Sequence, residues 1–306
     1  MPSFAYARVN VFTGDRFGGN PLAVLPDARG LSDIEMQAIA REFNLSETTF
    51  VLPPDNPQHH ARVRIFTPAH EMPFAGHPNV GTGFVLGRAM ENPPEHLVFE
   101  EIAGLVRVHM LRGADKQITG CRISAPQSLS IGDNVPTETV AACASLKPED
   151  ILSTAHDPLK ASVGTEFAIA EVASLEALAR AAPDLSAFRA AGAAAGTPPP
   201  GATLRFALLL YVRRDGDATR LRARMFAPLG GVVEDPATGS ACAALAALLT
   251  SMAPGENVDL LYEIEQGVEM GRPSLLIASG RKTAEGPVEA TVAGSCVSSG
   301  SGTLEL

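Results

Sequence analysis

The sequence predicts an α+β fold made of two similar halves. Many strand-like segments occur with a few helical ones, and their order is not the regular strand–helix alternation of a doubly wound sheet. Two short stretches also recur in the same order in both halves. A length of 306 residues suits about two domains. We place these domains at residues 1–126 and 127–306, with the last strands free to pack on the first domain.

The first half alternates strands and helices. Apolar and polar residues alternate in FAYARVNVFT and NPLAVLPDA, and again in TTFVLPP and ARVRIFTP, which predicts strands. Between these pairs, LSDIEMQAIAREFNLSE predicts a helix with Ser32 and Glu35 as a capping box and Asn44 as the C-cap. We expect its apolar stripe at Ile34, Ala38, Ile39 and Phe43. A helix in PNVGTGFVLGRAM and a hairpin turning near Ala103 follow.

The second half repeats this mixture after a less regular segment. Helical character is expected near 136–154, and the low-complexity stretch 190–202 is expected to be a loop. Strands are predicted in RFALLLYVRR and TRLRARMFAP, followed by an alanine-rich helix that begins after EDPATGS. The segments SLLIASGRK, VEATVAG and GTLEL then predict further strands.

Composition and charge exclude several classes of function. A net charge of −10 argues against a nucleic-acid or anionic-membrane surface. The chain has neither an apolar run long enough to span a bilayer nor a signal-peptide pattern, and its four cysteines show no CxxC spacing. We therefore expect a soluble, reduced, cytoplasmic protein. No P-loop, HExxH or G-x-S-x-G motif occurs, and we expect no metal, nucleotide or organic cofactor.

An internal repeat connects the two halves. RIFTP at 64–68 matches RMFAP at 224–228, and HPNVGT at 77–82 matches DPATGS at 235–240. A weaker similarity relates GNPLAV at 19–24 to GTEFAI at 164–169. The repeat predicts two similar domains related by a pseudo-two-fold axis, with the two helix starts facing each other across a cleft. Such clefts commonly hold small ligands.

The two helix starts have the chemistry of a site for an acidic small molecule. Pro78 and Pro236 suit the first helical position, which would place His77 and Asp235 at or beside the N-caps. Free N–H groups and the helix dipole attract anions there. The first turns also contain small or hydroxyl-bearing residues that would let a ligand approach, namely Gly81, Thr82, Gly239 and Ser240.

Each of these residues also has an ordinary structural interpretation. Taken alone, Asp235 is more simply a helix cap, and His77 is as well explained as a packed, hydrogen-bonded histidine. The pairing of the two positions across the repeat favours a functional role for both. Cys242, among alanines on the second helix, is best interpreted as a small buried hydrophobic residue.

Five motifs in order resemble the PhzF family, the phenazine-biosynthesis isomerases of the diaminopimelate-epimerase-like fold. They are VNVFTGDRFGGNPLAVL, LSETTFV, RIFTPAHEMPFAGHPNVGTGFVL, EDPATGSA and QGVEMGRPS, and the similarity runs from about residue 8 to residue 274. The resemblance implies two domains, each a β-barrel-like sheet around a central helix, with the site between them. It also implies a homodimer.

The resemblance assigns residues that spacing alone does not select. It implies that Glu47, in LSETTF, is the acid/base carboxylate, since a carboxylate in a dry pocket can exchange a proton near neutral pH. Without the resemblance, Glu47 would be interpreted as an exposed loop residue. The resemblance further implies that Asn20 contacts substrate. The matching pocket residues at the two helix starts are Gly76, His77, Asp235, Gly239 and Ser240. Of these, His77 and Asp235 are expected to act with Glu47 in catalysis, by orienting the substrate and assisting the proton transfer.

The sequence departs from the racemases and epimerases of this fold at one informative point. Those relatives use a thiol beside each helix start, whereas this chain has His77 and Asp235 there. One carboxylate that moves a proton between two carbons fits better, as in a trans-2,3-dihydro-3-hydroxyanthranilate isomerase. Two alternatives remain: an amino-acid racemase or epimerase that uses Glu47 with His77 or Asp235, and a non-catalytic metabolite-binding protein.

Overall fold

The computed structural model describes residues 2–195 and 206–306, in which the chain separates into two compact units. The first unit comprises Met1–Pro126 together with Ala293–Leu306, and the second comprises Gln127–Val292. The final strand begins in the second unit and ends in the first. Within the described residues, no helix is both long enough and apolar enough to cross a bilayer.

The first unit is built from nine strands and two helices within the described residues. Its strands are β1 (Ser3–Val11), β2 (Asn20–Leu25), β3 (Glu47–Leu52), β4 (Ala61–Phe66), β5 (Glu71–Met72), β6 (His96–Glu101), β7 (Gly104–Arg112), β8 (Ile118–Ser124) and most of the last strand of the chain. Its helices are α1 (Asp33–Phe43) and α2 (Gly76–Ala89).

The second unit has a similar inventory. Its strands are β9 (Ser130–Asn134), β10 (Ile151–Leu152), β11 (Leu159–Ser162), β12 (Glu166–Val172), β13 (Leu208–Arg214), β14 (Asp217–Ala227), β15 (Val232–Asp235), β16 (Val258–Gln266), β17 (Ser274–Lys282) and the first residues of β18 (Glu289–Glu305). Its helices are α3 (Thr137–Cys143), α4 (Leu175–Arg180), α5 (Leu185–Ala194) and α6 (Gly239–Met252).

The strands of the first unit close into a barrel. β1 pairs antiparallel with β2, β2 parallel with β3, β3 antiparallel with β4, β4 parallel with β6, and β6 antiparallel with β7. β7 continues to β8, and β18 pairs with both β8 and β1, which joins the two ends of the sheet. Each parallel pair is connected through a helix, which is the usual crossover between parallel strands.

Helix α2 is the central helix of this barrel. It packs against β1, β2, β3, β7 and β8, and most of its residues are buried. Gly81 allows this close packing, because a Cβ there would lie 2.6 Å from Leu22 Cδ2 and 2.9 Å from Val11 Cγ2. The predicted role of Gly81 in ligand approach is therefore wrong; its missing side chain serves helix–sheet packing.

Helix α1 covers the outer face of the same sheet. Its capping box and its αL C-cap at Asn44 are confirmed, since both depend on neighbouring residues only. The predicted apolar stripe is partly wrong. Ile34 is 82% exposed, and Met36 instead joins Ile39 and Ala40 in a cluster over Phe50 and Phe66. The predicted hairpin at Ala103 is confirmed by β6 and β7.

The second unit repeats the pairing order of the first. β11, β12, β13, β14, β16 and β17 pair in turn as antiparallel, parallel, antiparallel, parallel and antiparallel neighbours. The two matched segments of the sequence lie on equivalent elements, RIFTP on β4 and RMFAP on β14. The weaker sequence match also lies on equivalent strands, because NPLAV is on β2 and EFAIA is on β12. The predicted α+β duplication is therefore confirmed.

The helices of the second unit differ from expectation in detail. Helix α6 is almost completely buried and hydrophobic on every side, as a central helix must be. The helical character predicted near 136–154 is confined to α3 and a short 3₁₀ turn at Pro148–Asp150. The predicted loop at 190–202 is wrong up to residue 194, where α5 continues. Residues 196–205 lie outside the described part of the chain.

Candidate active-site residues at two helix starts

Three predicted site residues of the first unit meet at the start of α2. Asn20 is the first residue of β2, Glu47 is the first residue of β3, and His77 is the second residue of α2. The two strands are parallel neighbours, with Leu22 opposite Glu47. Their first residues therefore lie at the same edge of the barrel, and α2 begins at that edge.

The His77 imidazole connects the other two side chains. Asn20 Nδ2 lies 3.3 Å from His77 Nδ1, and His77 Nε2 lies 3.4 Å from Glu47 Oε2. Ser46 Oγ donates to Asn20 Oδ1 over 3.0 Å, which directs the Asn20 amide nitrogen towards the ring. With Nδ1 accepting from Asn20, the neutral ring carries its proton on Nε2, the atom that faces the Glu47 carboxylate.

Burial keeps this imidazole uncharged. The His77 side chain is 4% exposed, and desolvation lowers its pKa from 6.5 to about 3. At neutral pH the group that faces Glu47 is therefore a neutral imidazole N–H and not an imidazolium cation. Glu47 itself is 14% exposed, which leaves part of its side chain accessible to solvent.

The start of α2 differs from the sequence prediction by two residues. The helix begins at Gly76 with Ala75 as N-cap, and Ala75 has no side chain that can cap it. Pro78 is consequently the third helical residue and not the first. Thr82 is fully buried, and its hydroxyl lies 2.8 Å from that of Thr49 on β3. The hydroxyl expected to meet a ligand thus joins the helix to the sheet instead.

Asp235 occupies a comparable place in the second unit, but it is not a helix cap. It is the last residue of β15, and α6 begins four residues later at Gly239 with Thr238 as N-cap. Thr238 Oγ1 donates to Asp235 Oδ2 over 2.5 Å. Pro236 precedes the helix entirely, so its predicted place in the first turn is also wrong.

Gln266, at the end of β16, holds the loop between Asp235 and α6. Its Nε2 donates to the Asp235 carbonyl over 2.7 Å and to Thr238 Oγ1 over 3.1 Å, while its Oε1 accepts from the Thr238 amide over 3.1 Å. Gln266 is fully buried. This single amide fixes both ends of the Asp-Pro-Ala-Thr turn, and therefore fixes the direction in which Asp235 points.

The remaining predicted residues of the second unit lie in the first turn of α6. Gly239 is the first helical residue and is buried, and Ser240 follows it half-buried. Cys242 is fully buried, and its thiol donates to Gln266 Oε1 over 3.5 Å. Burial, with a smaller effect from Asp235, raises the pKa of this thiol. Cys242 is therefore a packed thiol and not a nucleophile, as the sequence predicted.

Sequence reasoning missed the residues that hold the site residues in place. Ser46 lies beside the predicted Glu47, and Gln266 lies in the QGVEMGRPS motif, yet neither was selected. The hydrogen bond between Ser46 and Asn20 joins residues 26 positions apart, and that between Gln266 and Thr238 joins residues 28 positions apart. Local spacing in the sequence does not reveal such contacts. The sequence feature that points to Gln266 is the Gly267 that follows it, since Gly267 has a positive φ and ends the strand there.

The first helix start has the parts of an acid/base site. The Glu47 side chain, which is 14% exposed, lies beside the neutral imidazole N–H of His77. This N–H can stabilise the carboxylate when it is ionised, and the interaction weakens when the carboxylate takes up a proton. Within residues 2–195 and 206–306, no three His, Cys, Asp or Glu side chains are grouped so that they could hold a metal ion.

Comparisons with known proteins agree on one family. The family model for phenazine biosynthesis-like proteins, PhzC-PhzF, matches residues 9–302. An uncharacterised isomerase from Mesorhizobium japonicum is 41% identical over 90% of this chain and 89% of its own length. Trans-2,3-dihydro-3-hydroxyanthranilate isomerase from Pseudomonas fluorescens is 36% identical over 98% of this chain and 99% of its own length.

Solved structures have the same fold. A PhzF-family protein from Bacillus anthracis superimposes with a TM-score of 0.86 over all of both chains at 23% identity. A predicted epimerase from Pseudomonas aeruginosa superimposes with a TM-score of 0.77 over 99% of both chains at 28% identity. A hydroxyproline epimerase from Agrobacterium vitis, at 14% identity and a TM-score of 0.62, shares the fold alone.

Proposed function

Because this chain belongs to the PhzF family of isomerases, we propose that it moves one proton between two carbons of a small acidic substrate, with Glu47 as the single acid/base. The observation that carries this proposal is the contact between Glu47 Oε2 and the neutral Nε2–H of His77 at 3.4 Å. A lone carboxylate with a fixed N–H donor can remove a proton and return it.

The proposed reaction needs no second base. The Glu47 carboxylate removes a proton from one carbon, and the electron pair of that C–H bond shifts a neighbouring double bond by one position. The carboxylic acid then returns the proton to the far carbon, where a new C–H bond forms and the original carboxylate is regenerated. His77 stays neutral throughout and donates its Nε2–H to Glu47 when Glu47 is ionised.

Other predicted residues are proposed to bind the substrate rather than to react with it. The backbone N–H groups at Gly76 and Gly239, each the first residue of its helix, can donate hydrogen bonds to an anionic group of the substrate. Asp235 is proposed to hold an amino or hydroxyl group, since Thr238 and Gln266 fix its orientation. Asn20 and Ser240 supply further polar contacts. These roles follow from the chemistry of the residues and from the family.

Trans-2,3-dihydro-3-hydroxyanthranilate is the first substrate to assay, because a relative 36% identical over nearly the whole chain is named for that reaction. The 41% identical relative has no named substrate, and the family model covers proteins described only as phenazine biosynthesis-like. The class we propose is therefore a small acidic amino- or hydroxy-acid with a double bond next to the reacting carbon.

The racemase or epimerase alternative is favoured by the 28% identical structure named a predicted epimerase. Reaction in deuterium oxide separates the two functions. The isomerase should release a rearranged product and leave a panel of L-amino acids and L-hydroxyproline unchanged in configuration and without deuterium at Cα. Inversion of an amino acid with deuterium at Cα would contradict the proposed isomerisation. Tight binding of the dihydro acid without any conversion would instead support the metabolite-binding alternative.

We also propose a homodimer that works in the cytoplasm, neither bound to nucleic acid nor attached to a membrane. All four cysteines are free and buried, which suits a reducing compartment, and the net charge of −10 disfavours polyanions. Light scattering at several concentrations tests whether the protein is a homodimer, and a single 31.9 kDa species would contradict it. Cell fractionation tests the cytoplasmic location, and recovery of the protein outside the cytoplasm would contradict it.

A further inference from the structure

A second glutamate, Glu101, has a buried carboxyl group near the start of α2. Glu101 is the last residue of β6, and both of its carboxyl oxygens are shielded from solvent. Neither oxygen makes a hydrogen bond of acceptable geometry within the described part of the chain, and the same holds for Oδ1 of Asn79. Buried polar atoms are rarely left without a partner, so these three atoms call for an explanation.

The strand register places Glu101 inside the same sheet as Glu47 but not at the same level. Arg62 of β4 is beside Glu100, so Glu101 lies level with Val63, which is opposite Val51 near the far end of β3 from Glu47. Alternation along β6 places Glu101 on the same face as Leu97 and Phe99, which are fully buried. Glu101 therefore faces the interior, where α2 runs.

Asn79 connects this glutamate to the candidate active site. It lies in the first turn of α2, two residues after His77, and it is completely buried. Its Nδ2 donates to the Ala75 carbonyl over 3.0 Å, which uses one of its two N–H groups. The second N–H and the Oδ1 atom remain for Glu101, whose carboxyl is close enough for the amide to affect its pKa.

We propose that Glu101 is a positioning residue that stays protonated at neutral pH and forms a cyclic acid–amide pair with Asn79. The Glu101 O–H donates to Asn79 Oδ1, and the second Asn79 N–H donates to the Glu101 carbonyl oxygen. One proton thereby supplies a partner to all three atoms. The pair holds the first turn of α2 and so holds His77 against Glu47, a consequence that rests on the proposed function.

The electrostatic surroundings are consistent with a neutral acid. Burial raises the pKa of Glu101 from 4.5 to about 8, and the Asn79 amide opposes part of this rise. The charged groups of the neighbouring strands have other partners: Arg62 pairs with Asp55, Arg64 with Asp33 and Glu71, and Glu100 with His59. On α2, His77 is neutral. The remaining charged or titratable residues of these elements are Arg88, His96, Arg107, His109 and Arg112.

The sign of the pH effect follows from the direction of this shift. The folded protein holds the Glu101 proton up to about pH 8, whereas the unfolded chain loses it near pH 4.5. The pair therefore stabilises the folded state fully below about pH 4.5, and this stabilisation is lost as the pH rises to about 8. The alignment of His77 with Glu47 should therefore be lost as the pH rises to about 8.

The test compares Glu101→Gln with Glu101→Leu, using the exposed Glu91→Gln as a matched control. Glutamine keeps a donor and an acceptor for Asn79 but cannot ionise, so Tm should fall less between about pH 5 and about pH 8.5 than in the wild type. Infrared spectra of the wild type at neutral pH should show a protonated-carboxyl band, which should disappear by about pH 9.5. The band should be absent in Glu101→Gln.

Turnover of trans-2,3-dihydro-3-hydroxyanthranilate gives the second measurement. Glu101→Gln should keep kcat within about twofold at neutral pH and lose the alkaline decline of the wild type. Glu101→Leu should lower kcat by about tenfold or more with a smaller effect on KM. An unchanged pH profile of Tm in Glu101→Gln, or no carboxyl band, would overturn the acid–amide pair.

An inactive but stable Glu101→Gln would overturn the positioning role, because it would show that Glu101 itself transfers a proton. If the wild type does not convert this compound at all, the substrate assignment fails, while the Tm and infrared measurements still decide whether the acid–amide pair exists.

Discussion

The buried imidazole of His77 is neutral, and its Nε2 faces Glu47 Oε2 at 3.4 Å. Its pKa is lowered to about 3 by burial, and Asn20 accounts for the tautomer by occupying Nδ1. Protonation at Nδ1 would break the contact with the Asn20 amide and place a charge among buried groups. In the proposed mechanism, His77 therefore orients the Glu47 side chain at neutral pH without competing for its proton.

Acid sensitivity of the fold follows from this buried histidine. The lowered pKa means that the stabilisation from neutral His77 is complete above about pH 6.5 and is lost as the pH falls towards about 3. Urea unfolding should show the free energy of unfolding dropping by a few kcal/mol over that range, and less in His77→Gln. The matched control is His70→Gln, at a half-buried histidine of the same unit. Equal acid sensitivity in His77→Gln and the wild type would contradict the assignment.

At the scale of the elements, sequence reasoning succeeds where the determining contacts are local. The capping box of α1 depends on residues three apart, and its prediction is confirmed. The predicted starts of α2 and α6 are wrong because they put a proline at the first helical position, whereas Ala75 and Thr238 are the N-caps. Gln266 and Glu101 were missed because strand pairing, and not spacing, brings them to the helices.

The central helices predict how the fold responds to added volume. In Gly81→Ala, the new Cβ would lie 2.6 Å from Leu22 Cδ2 and 2.9 Å from Val11 Cγ2, so either the helix or these packed side chains must shift. We expect a loss of about 1–3 kcal/mol in the free energy of unfolding, measured by urea titration. Gly14→Ala is the control, because no atom lies within 4 Å of a Cβ there. Equal stability of the two variants would contradict the packing role.

At the scale of the whole molecule, one duplicated topology carries two different helix starts. Both units pair their strands in the same alternation of antiparallel and parallel neighbours around a buried helix. The first unit has His77 with Asn20 and Glu47, while the second has Asp235 with Thr238 and Gln266. The repeat was detectable in the sequence, but the acid/base role of Glu47 came from the family resemblance alone.

The most direct test of the central claim is the turnover of Glu47→Gln with trans-2,3-dihydro-3-hydroxyanthranilate. Glutamine keeps the size of the side chain but cannot take up a proton, so kcat should fall by about 10²–10⁴-fold with an unchanged Tm. Glu42→Gln, at an exposed glutamate on α1, should keep full activity. If Glu47→Gln converts this substrate as fast as the wild type does, Glu47 is not the acid/base and the proposed mechanism is wrong.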